Sequence, residues 1–452
     1  MRRPFKRVVY LFLLCALAIT LSFPAGVFAE QAKPKTPQDK LKSPDRPKAP
    51  ASVEKSTSVE EYKDEAQAAR KPFFSWVDNM DKDKPRIHLG ALEVHPYGFI
   101  EQKYDTNIYL RPRGQAKQDL ITDYRVGFAA KMPLVPERGD DHLLEAYYHA
   151  DIIEFLHHDK LSRVDHTAHV AMTNKFPNDF QFRLSEDYLK TQDPPNSERT
   201  LLTKRWWNMV DARVDYIREK IKLESAFTLT TDSYNEYHNL NHNDYMATAT
   251  AFYNIATKTW LLGEFNFGRI LYRNSATNSD STYYQGRVGV EGDIAPKLSG
   301  TYKMGFRCQD YSRTAANNYS AFTVFGNLKY EITQRTTLNI YGERRPEESS
   351  YATNSYYEIN TAGLKFDHLL LQRLWLNGGA FWGLDLYPAE STEGGETAKR
   401  KDTLWGAGAG LKYEVKDWLS LNTGYEFKQR DSNFHNFSYN DHKVSIRASV
   451  IF

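Results

Sequence analysis

The sequence is poor in cysteine, which excludes a fold held together by internal disulfides. Its 452 residues contain two cysteines, Cys15 and Cys308. Cys15 lies in an N-terminal segment that we expect to be removed, and Leu14 stands where a lipid-anchor motif needs a small residue. One thiol then remains, so no disulfide can form within the mature chain. The fold has to be stable without covalent cross-links.

Long apolar runs are missing after the N-terminus, which excludes a helical membrane span in the mature chain. A basic start within residues 1–7 is followed by an apolar run from Val8 to about Leu21 and by small residues at Val27 and Ala29. This run is shorter than the roughly 20 apolar residues of a membrane span. The pattern predicts a secretory signal peptide over residues 1–29, cleaved after Ala29.

An excess of either charge is also missing. The chain has 59 Lys and Arg against 57 Asp and Glu, and loss of the signal peptide removes four basic residues, which leaves 55 against 57, a net charge near −2. Nucleic-acid-binding proteins usually present a clustered basic face. We therefore expect no nucleic-acid partner.

Aromatic side chains are abundant although the chain is hydrophilic. The sequence has 29 Tyr, 25 Phe and 8 Trp, and its mean hydropathy is −0.63. In a transmembrane β-barrel only alternate residues face lipid, and aromatic girdles mark the two interfaces. An exported chain of this composition fits that architecture.

Residues 30–86 differ in composition from the rest of the chain. The stretch QAKPKTPQDKLKSPDRPKAPAS is rich in Pro and Lys and predicts an extended periplasmic linker. A short helix is compatible with residues from about Val59 to Arg70, lying either in the periplasm or inside a pore. The linker and the pore-lying helix are both kept as alternatives.

Residues 87–452 alternate between apolar and polar side chains in about 18 long segments. In WLSLNTGYEFKQR, for example, Leu421 and Tyr425 fall on one face, and Asn422 and Glu426 fall on the other. Such alternation is the signature of half-buried strands, and segments of about 10 residues or more have the length of membrane-crossing strands. Tight links such as REKI, IAPK and EVKD take turns with long polar ones such as TQDPPNSERTLLTKR and PAESTEGGETAKRKD. The sequence therefore predicts a closed, antiparallel, up-and-down transmembrane barrel of about 18 strands, with short periplasmic turns and long extracellular loops.

The chain ends inside an alternating segment, on Phe452. A closing strand must pair with the first strand, because an open sheet edge cannot be satisfied in hydrocarbon. A terminal Phe at the membrane interface resembles the signal that barrel-assembly machinery recognises. We expect an outer-membrane location in a Gram-negative bacterium, with outer-membrane lipid and the assembly machinery as partners.

If the apolar face meets lipid, the polar face lines the lumen. The candidate pore-lining residues are charged and of both signs, so strong ion selectivity is not implied. They are Arg125, Lys131, Glu145, Asp151, Arg183, Asp211, Arg213, Glu264, Arg287, Glu291, Lys303, Arg307, Lys329, Glu331, Lys412, Glu426, Lys428 and Arg447. So many charges need water or partners. An aqueous channel and a ladder of salt bridges that stiffens the wall are alternative explanations.

Titratable and aromatic groups near two loops allow two other functions, catalysis and sugar binding. His157, His158 and Asp165 would have to converge in a rim hydrolase, but no GxSxG, HExxH or spaced-cysteine motif is present. We therefore expect no enzyme, no metal and no cofactor. The loop aromatics Trp206, Trp207, Tyr234 and Tyr237 are candidates for stacking on sugar rings, with an interfacial girdle as the alternative.

The motif YDTNIYL, which contains Tyr104, Asp105, Asn107, Ile108 and Tyr109, resembles the first hairpin of the outer-membrane β-barrel porin type 2 family. The resemblance is clear over roughly residues 94–187 and includes HADIIEFLHHDKLSRVDHTAHVAM. It implies a barrel fold and an association with exopolysaccharide export. The long Pro-rich N-terminal segment is not part of the family pattern, so a partnership with periplasmic export components stays open. The leading functional hypothesis is a conduit for hydrophilic solutes. The alternative is a structural or surface-binding barrel plugged by its own loops or by residues 30–86.

Overall fold

The computed structural model describes residues 87–452 apart from 201, 275–277, 314–317, 352 and 394. The predicted signal peptide (1–29) and linker (30–86) lie outside the described residues. Within the described part, no helix has the length and apolar character needed to cross a membrane.

The described chain is almost entirely β-strand. The strands are β1 Ile87–Leu89, β2 Leu92–Asp105, β3 Asp119–Pro133, β4 His142–Phe155, β5 Arg163–Lys175, β6 Phe180–Thr191, β7 Arg205–Arg218, β8 Ile221–Tyr234, β9 His242–Ala256, β10 Thr259–Tyr272, β11 Ser281–Ala295, β12 Leu298–Tyr311, β13 Tyr319–Thr333, β14 Thr336–Glu348, β15 Tyr356–Leu371, β16 Leu374–Glu393, β17 Glu396–Lys416, β18 Leu419–Ser432 and β19 Tyr439–Ile451. Short 3-10 turns occupy Pro136–Asp141, Asp159–Leu161, His238–Leu240 and His435–Phe437.

Strands β2 to β19 form a closed antiparallel barrel of 18 strands, which confirms the predicted fold class. Each strand pairs with its sequence neighbours, and β19 closes the ring by pairing with β2 from Ile451↔Tyr97 to Lys443↔Asp105. The additional strand β1 is a three-residue hairpin arm on β2. Closure leaves no strand edge in the wall, as a membrane requires.

The two faces of the wall differ in chemistry. Large apolar side chains such as Val126, Phe265 and Ile446 are exposed on the outer face, and they alternate along their strands with buried polar groups on the inner face. Solvent-exposed apolar area on this scale is expected where lipid replaces water. The inner face is the one on which charges meet across strands, as in Arg125↔Asp151 and Lys131↔Glu145.

The two rims of the barrel differ in their connections. One rim, here called the turn rim, carries the short links 219–220, 257–258, 296–297, 334–335, 372–373 and 417–418. The other, the loop rim, carries the longer links 106–118, 156–162, 192–204, 235–241, 349–355 and 433–438. Residues 134–141 are the exception on the turn rim, where a 3-10 turn lengthens the link.

The prediction of a long loop over PAESTEGGETAKRKD is wrong. β16 and β17 continue through it as a hairpin to Glu393 and Glu396, and Gly395 adopts φ +88 in its turn. Beyond the membrane both faces of a hairpin meet water. Without an apolar face, the strands lose the alternation by which they can be recognised.

The C-terminal residue lies on the turn rim, where β19 ends. The Phe452 backbone N–H donates to the carbonyl of Pro96 on β2 at 2.8 Å, and its ring stacks on Trp418 at 5.6 Å between centroids. The last residue is therefore part of the closing seam.

Candidate functional site

All of the predicted pore-lining residues lie on the inner face of the wall. The strand register links them or their immediate cross-strand partners, for example Arg183↔Arg213 between β6 and β7 and Glu264↔Arg287 between β10 and β11. Their position is what alternation predicted. Their role in lining a pore stays a prediction.

Many of these inner charges are buried in ion pairs. The Glu264 carboxylate lies 2.6 Å from Arg287 Nη2 and 2.7 Å from Lys303 Nζ, and the three side chains are 1%, 10% and 2% exposed. One carboxylate thus sits between two cations from neighbouring strands. In this stretch of wall, the stiffening ladder describes the charges better than an open aqueous lining does.

A second buried cluster lies on β7 and β8. Arg213 is 1% exposed, with its guanidinium 3.6 Å from Glu224 Oε1 and 3.9 Å from Asp211 Oδ1. Glu224 was missed among the candidates although its alternation with Ala226 and Thr228 on β8 indicates the same face.

Water-exposed inner charges gather towards the turn rim. The Lys329–Glu331 pair at 3.0 Å is 49% and 55% exposed, and Glu414, paired with Lys412, is 38% exposed. Glu145 is also exposed near this rim. Inner-face charges near the turn rim are therefore accessible to water.

At the loop rim, the link between β6 and β7 folds across the mouth. Ser197 Oγ donates to Asp385 on β16 at 2.7 Å, and the Ser197 carbonyl accepts from Arg430 Nη1 on β18 at 2.5 Å. In the ring of 18 strands, β16 lies on the opposite side from β6 and β7. The loop therefore spans the mouth from one wall to the other.

The neighbouring residue anchors this loop. Glu198 is 1% exposed, and its carboxylate accepts from Ser349 Oγ at 2.8 Å and from the Ser350 backbone N–H at 2.5 Å. Burial raises the pKa of Glu198 to about 7, although the two hydrogen bonds and Arg400 act in the opposite direction. A polar loop held by a buried carboxyl is a pH-sensitive contact.

The end of the β14–β15 hairpin also leans over the mouth. The pairing of β13 with β14 stops at Val324↔Arg344, and beyond it the Glu348 carboxylate accepts from Tyr272 and Tyr311 hydroxyls at 2.9 Å and from Gln309 Nε2 at 2.8 Å. These partners lie on the inner faces of β10 and β12. We call residues 193–200 and 345–351 together the mouth plug.

The mouth plug was not predicted. Its residues have an ordinary loop composition, and its contacts join segments that are far apart in the sequence, such as Ser197 and Asp385. The motif Asp105–Asn107 proves structural. Asn107 is 1% exposed, and its Nδ2 donates to the Arg111 and Asn440 carbonyls at 2.8 Å. The Asn107 backbone N–H also donates to Asp105 Oδ1 at 2.8 Å. Through its bond to Asn440 on β19, the motif holds the 106–118 loop against the last strand.

Of the four aromatic residues proposed for sugar contact, three lie in strands, so their predicted location in loops is wrong, and sugar contact itself stays a prediction. β7 begins at Arg205, so alternation sends Trp206 to the outer face and Trp207, 4% exposed, to the inner face. Tyr234 is 6% exposed and donates to Asp232 at 3.2 Å. Tyr237 alone lies in a loop, with the Arg199 guanidinium 3.6 Å above its ring.

The three residues of the hydrolase hypothesis do not converge. His157 Nδ1 and His158 Nδ1 lie 3.0 and 2.8 Å from the carboxylate of Asp119, whereas Asp165 accepts from Arg163 and Thr191. Backbone N–H groups of both histidines also donate to Asp119, which makes it an anchor for the 156–162 loop. Over the described chain, no group of three or more His, Cys, Asp or Glu side chains is placed to hold a metal ion.

A closed antiparallel barrel with an apolar outer face and a charged interior is a porin-like membrane β-barrel. The family model of putative beta-barrel porin 2 matches residues 100–452, and the chain belongs to this family of outer-membrane β-barrels, which confirms the resemblance seen in its first hairpin.

Solved structures with a similar fold include the outer membrane protein OpdK from Pseudomonas aeruginosa, at 11% identity and a TM-score of 0.44, covering 80% of this chain and 99% of that one. A mutant of the ferric enterobactin receptor from the same organism aligns at 8% identity and a TM-score of 0.43, over 81% and 82% of the two chains. The siderophore receptor PirA from Acinetobacter baumannii aligns at 9% identity and 0.39, over 79% and 80%. No curated protein matches the chain.

Proposed function

We propose that this protein is a conduit for hydrophilic solutes in the outer membrane of a Gram-negative bacterium, and that exported polysaccharide is its cargo. The observation that carries the proposal is the closed wall with an apolar outer face and a charged inner face that is exposed towards the turn rim. Both signs of charge alternate along that face, which favours neutral or zwitterionic cargo over one type of ion. The cargo assignment rests on the family resemblance.

The same proposal includes the route to the membrane. The signal peptide would direct export and be cleaved after Ala29, and Phe452 would present the closing strand to the assembly machinery. The turn rim would then face the periplasm, where export components meet residues 30–86. Passage needs no cofactor and proceeds by diffusion or guided sliding.

The mouth plug makes a second function worth testing. A barrel whose loop rim is spanned by Ser197 and Glu198 contacts fits a structural or surface-binding protein as long as the plug stays seated. The two functions differ in one property, which is whether the mouth plug moves away from the mouth of the barrel. Conductance through the purified protein separates them.

The decisive experiment locks the plug. Ser197→Cys with Asp385→Cys places two thiols where the present side chains are in hydrogen-bond contact at 2.7 Å, in a Cys308→Ser background that removes the exposed native thiol. In planar bilayers we expect small or rare conductance steps from the oxidised variant and larger or more frequent steps after reduction.

The control for the lock is Ser197→Cys alone in the same background, which should not respond to reductant. Equal conductance of the oxidised and reduced double variant would contradict a plug that moves. A folded barrel that is silent in both states would favour the structural function. Deleting residues 30–86 in a parallel sample shows whether the N-terminal segment, and not the mouth plug, blocks the lumen.

Cargo is tested separately on the reduced, conducting form. Neutral and acidic exopolysaccharides are added on the turn-rim side, and transient current blockades are counted. We expect blockades whose duration grows with chain length. Their absence at all lengths would remove polysaccharide from the proposal and leave a general porin.

A further inference from the structure

A cavity of about 410 Å³ lies near the loop rim where β5, β6 and β7 begin or end, outside the conduit described above. Its walls include Tyr188, Lys190, Lys204 and Trp206. Tyr188, Lys190 and Trp206 occupy the outward parity of β6 and β7, and Lys190 pairs directly with Trp206 across the two strands. The lining also includes Arg163, Asp165 and Arg205 of the inner parity, so the cavity is a groove at the loop-rim edge of the wall whose lipid-facing side carries Tyr188, Lys190 and Trp206.

The cations of this groove fall into two groups. Arg163 is neutralised by Asp165 at 3.1 Å and Asp193 at 2.5 Å, and Arg205 by Asp232 at 3.3 Å. They hold the frame of the groove in place.

Lys190 and Lys204 form the second group. Both are exposed, and neither takes part in an ion pair among the described residues. The nearest carboxylate on the outer face of β6 is Glu186, four residues below Lys190, where it accepts from Asn208 Nδ2 at 2.8 Å. Two ammonium groups beside two aromatic rings thus lie where an anion can be bound.

The height of the groove points to its ligand. Lys190 lies ten residues along β6 from Phe180, whose exposed ring marks the turn-rim end of the outer face. At about 3.3 Å per residue and a strand tilt of about 40°, this is about 25 Å, the height of the apolar band of an outer-membrane barrel. The two lysines therefore reach the level of the lipid headgroups.

We propose that this groove binds the headgroup of a phosphorylated glycolipid of the outer leaflet, with Lys190 and Lys204 on the phosphates and Trp206 and Tyr188 against the sugar rings. Cations and amphipathic aromatic rings at a membrane interface are suited to such a ligand. The assignment to the outer leaflet rests on the orientation given under Proposed function. The groove itself does not depend on whether the lumen conducts.

Native mass spectrometry of the detergent-purified full chain tests the proposal. The probes are a bisphosphorylated lipid A type glycolipid, the same lipid without phosphates, and inorganic phosphate. We expect a retained adduct with the phosphorylated lipid, at least about tenfold weaker binding in Lys190→Glu/Lys204→Glu, and a loss of a few fold in Trp206→Ala. The matched control is Lys399→Glu/Lys401→Glu, which makes the same charge change on exposed residues of the β16–β17 hairpin.

Three results would overturn the site: unchanged binding in the groove variant, an equal loss in the hairpin control, or equal retention of the phosphate-free lipid. Binding of inorganic phosphate as tight as that of the glycolipid would overturn the lipid assignment. If the Glu variant does not fold, Lys190→Gln/Lys204→Gln takes its place. Conductance recorded on the same variants separates a failure of this site from a failure of the conduit.

Discussion

At the scale of single residues, the inner wall holds charges that differ in their surroundings. Glu264 is 1% exposed between Arg287 and Lys303, whereas Glu331 is 55% exposed beside Lys329. Both pairs have similar distances between charged atoms. Their contributions to stability should differ because water screens only the second pair.

The first prediction compares these two carboxylates. Glu264→Gln removes the carboxylate that lies between two cations in a buried site, and we expect a loss of about 3 kcal/mol or more in the free energy of unfolding. Glu331→Gln, its control, should lose less than about 1 kcal/mol. Urea unfolding of the refolded protein in micelles measures both. Equal losses would show that the Glu264 cluster is hydrated.

The second prediction concerns pH and Glu198. Burial raises the pKa of Glu198 from the usual 4.5 to about 7. At pH values between these two, Glu198 is protonated while the loop lies across the mouth and loses its proton when the loop moves away. Arg400 and Asp402 act on it with opposite signs, and Tyr351 is the nearby group of the adjoining loop. The loop position across the mouth is therefore most stable below about pH 4.5. Its stability falls as the pH rises to about 7, by about 3 kcal/mol in total.

Conductance should therefore rise between pH 5 and pH 8 in the natural sequence and rise less in Glu198→Gln, in which the buried Asp385 carboxyl that accepts from Ser197 remains. Glu236→Gln, at an exposed glutamate of the 235–241 loop, is the matched control and should keep the rise. The same pH slope in Glu198→Gln as in the natural protein would remove Glu198 as the titrating group.

At the scale of elements, the closing strand β19 joins both ends of the barrel. Phe452, which follows β19, contributes one backbone hydrogen bond to Pro96 and one ring contact to Trp418, and it is 44% exposed. Contacts of this kind contribute about 1–2 kcal/mol together. They stabilise the seam only modestly.

The third prediction separates folding from assembly. Phe452→Ala should refold in micelles with nearly the natural stability but reach the outer membrane at a level reduced by about tenfold, if the terminal ring is read by the assembly machinery. Trp418→Ala removes the same ring contact and keeps the terminus. A comparable loss in both variants would mean that the contact, not the signal, matters. Heat-modifiability on gels and membrane fractionation provide the two measurements.

The elements that could be predicted from the sequence are those with two different faces. β18, with Leu421 and Tyr425 outward and Asn422 and Glu426 inward, is recognisable because lipid and lumen impose period two. At the tip of the β16–β17 hairpin, over residues 388–399, none of the described side chains is buried, so the sequence has no two distinct faces there and predicts a loop. The mouth plug is held by contacts between segments that are distant in the sequence, such as Glu198 with Ser349, and no local sequence pattern predicts such contacts.

At the scale of the whole molecule, the unequal rims determine what each side of the membrane meets. The turn rim carries mostly short links and exposed inner charges. The loop rim carries the mouth plug and the groove of Lys190 and Lys204. If the barrel were inserted the other way round, the mouth plug would face the periplasm. The proposed direction of export and the proposed outer-leaflet ligand would then both be wrong. Orientation is therefore the most consequential single measurement.

The last prediction tests orientation with two matched insertions. A short epitope is placed at the turn that contains Gly395 and, in a second variant, at 296–297, where Lys297 adopts φ 68. Both turns link paired strands at an exposed tip, so an insertion should leave the wall intact. We expect antibody binding to intact cells for the first variant, and only after permeabilisation for the second. The reverse pattern would invert the barrel and place the plug on the periplasmic side, and binding to both on intact cells would mean that the outer membrane had been breached.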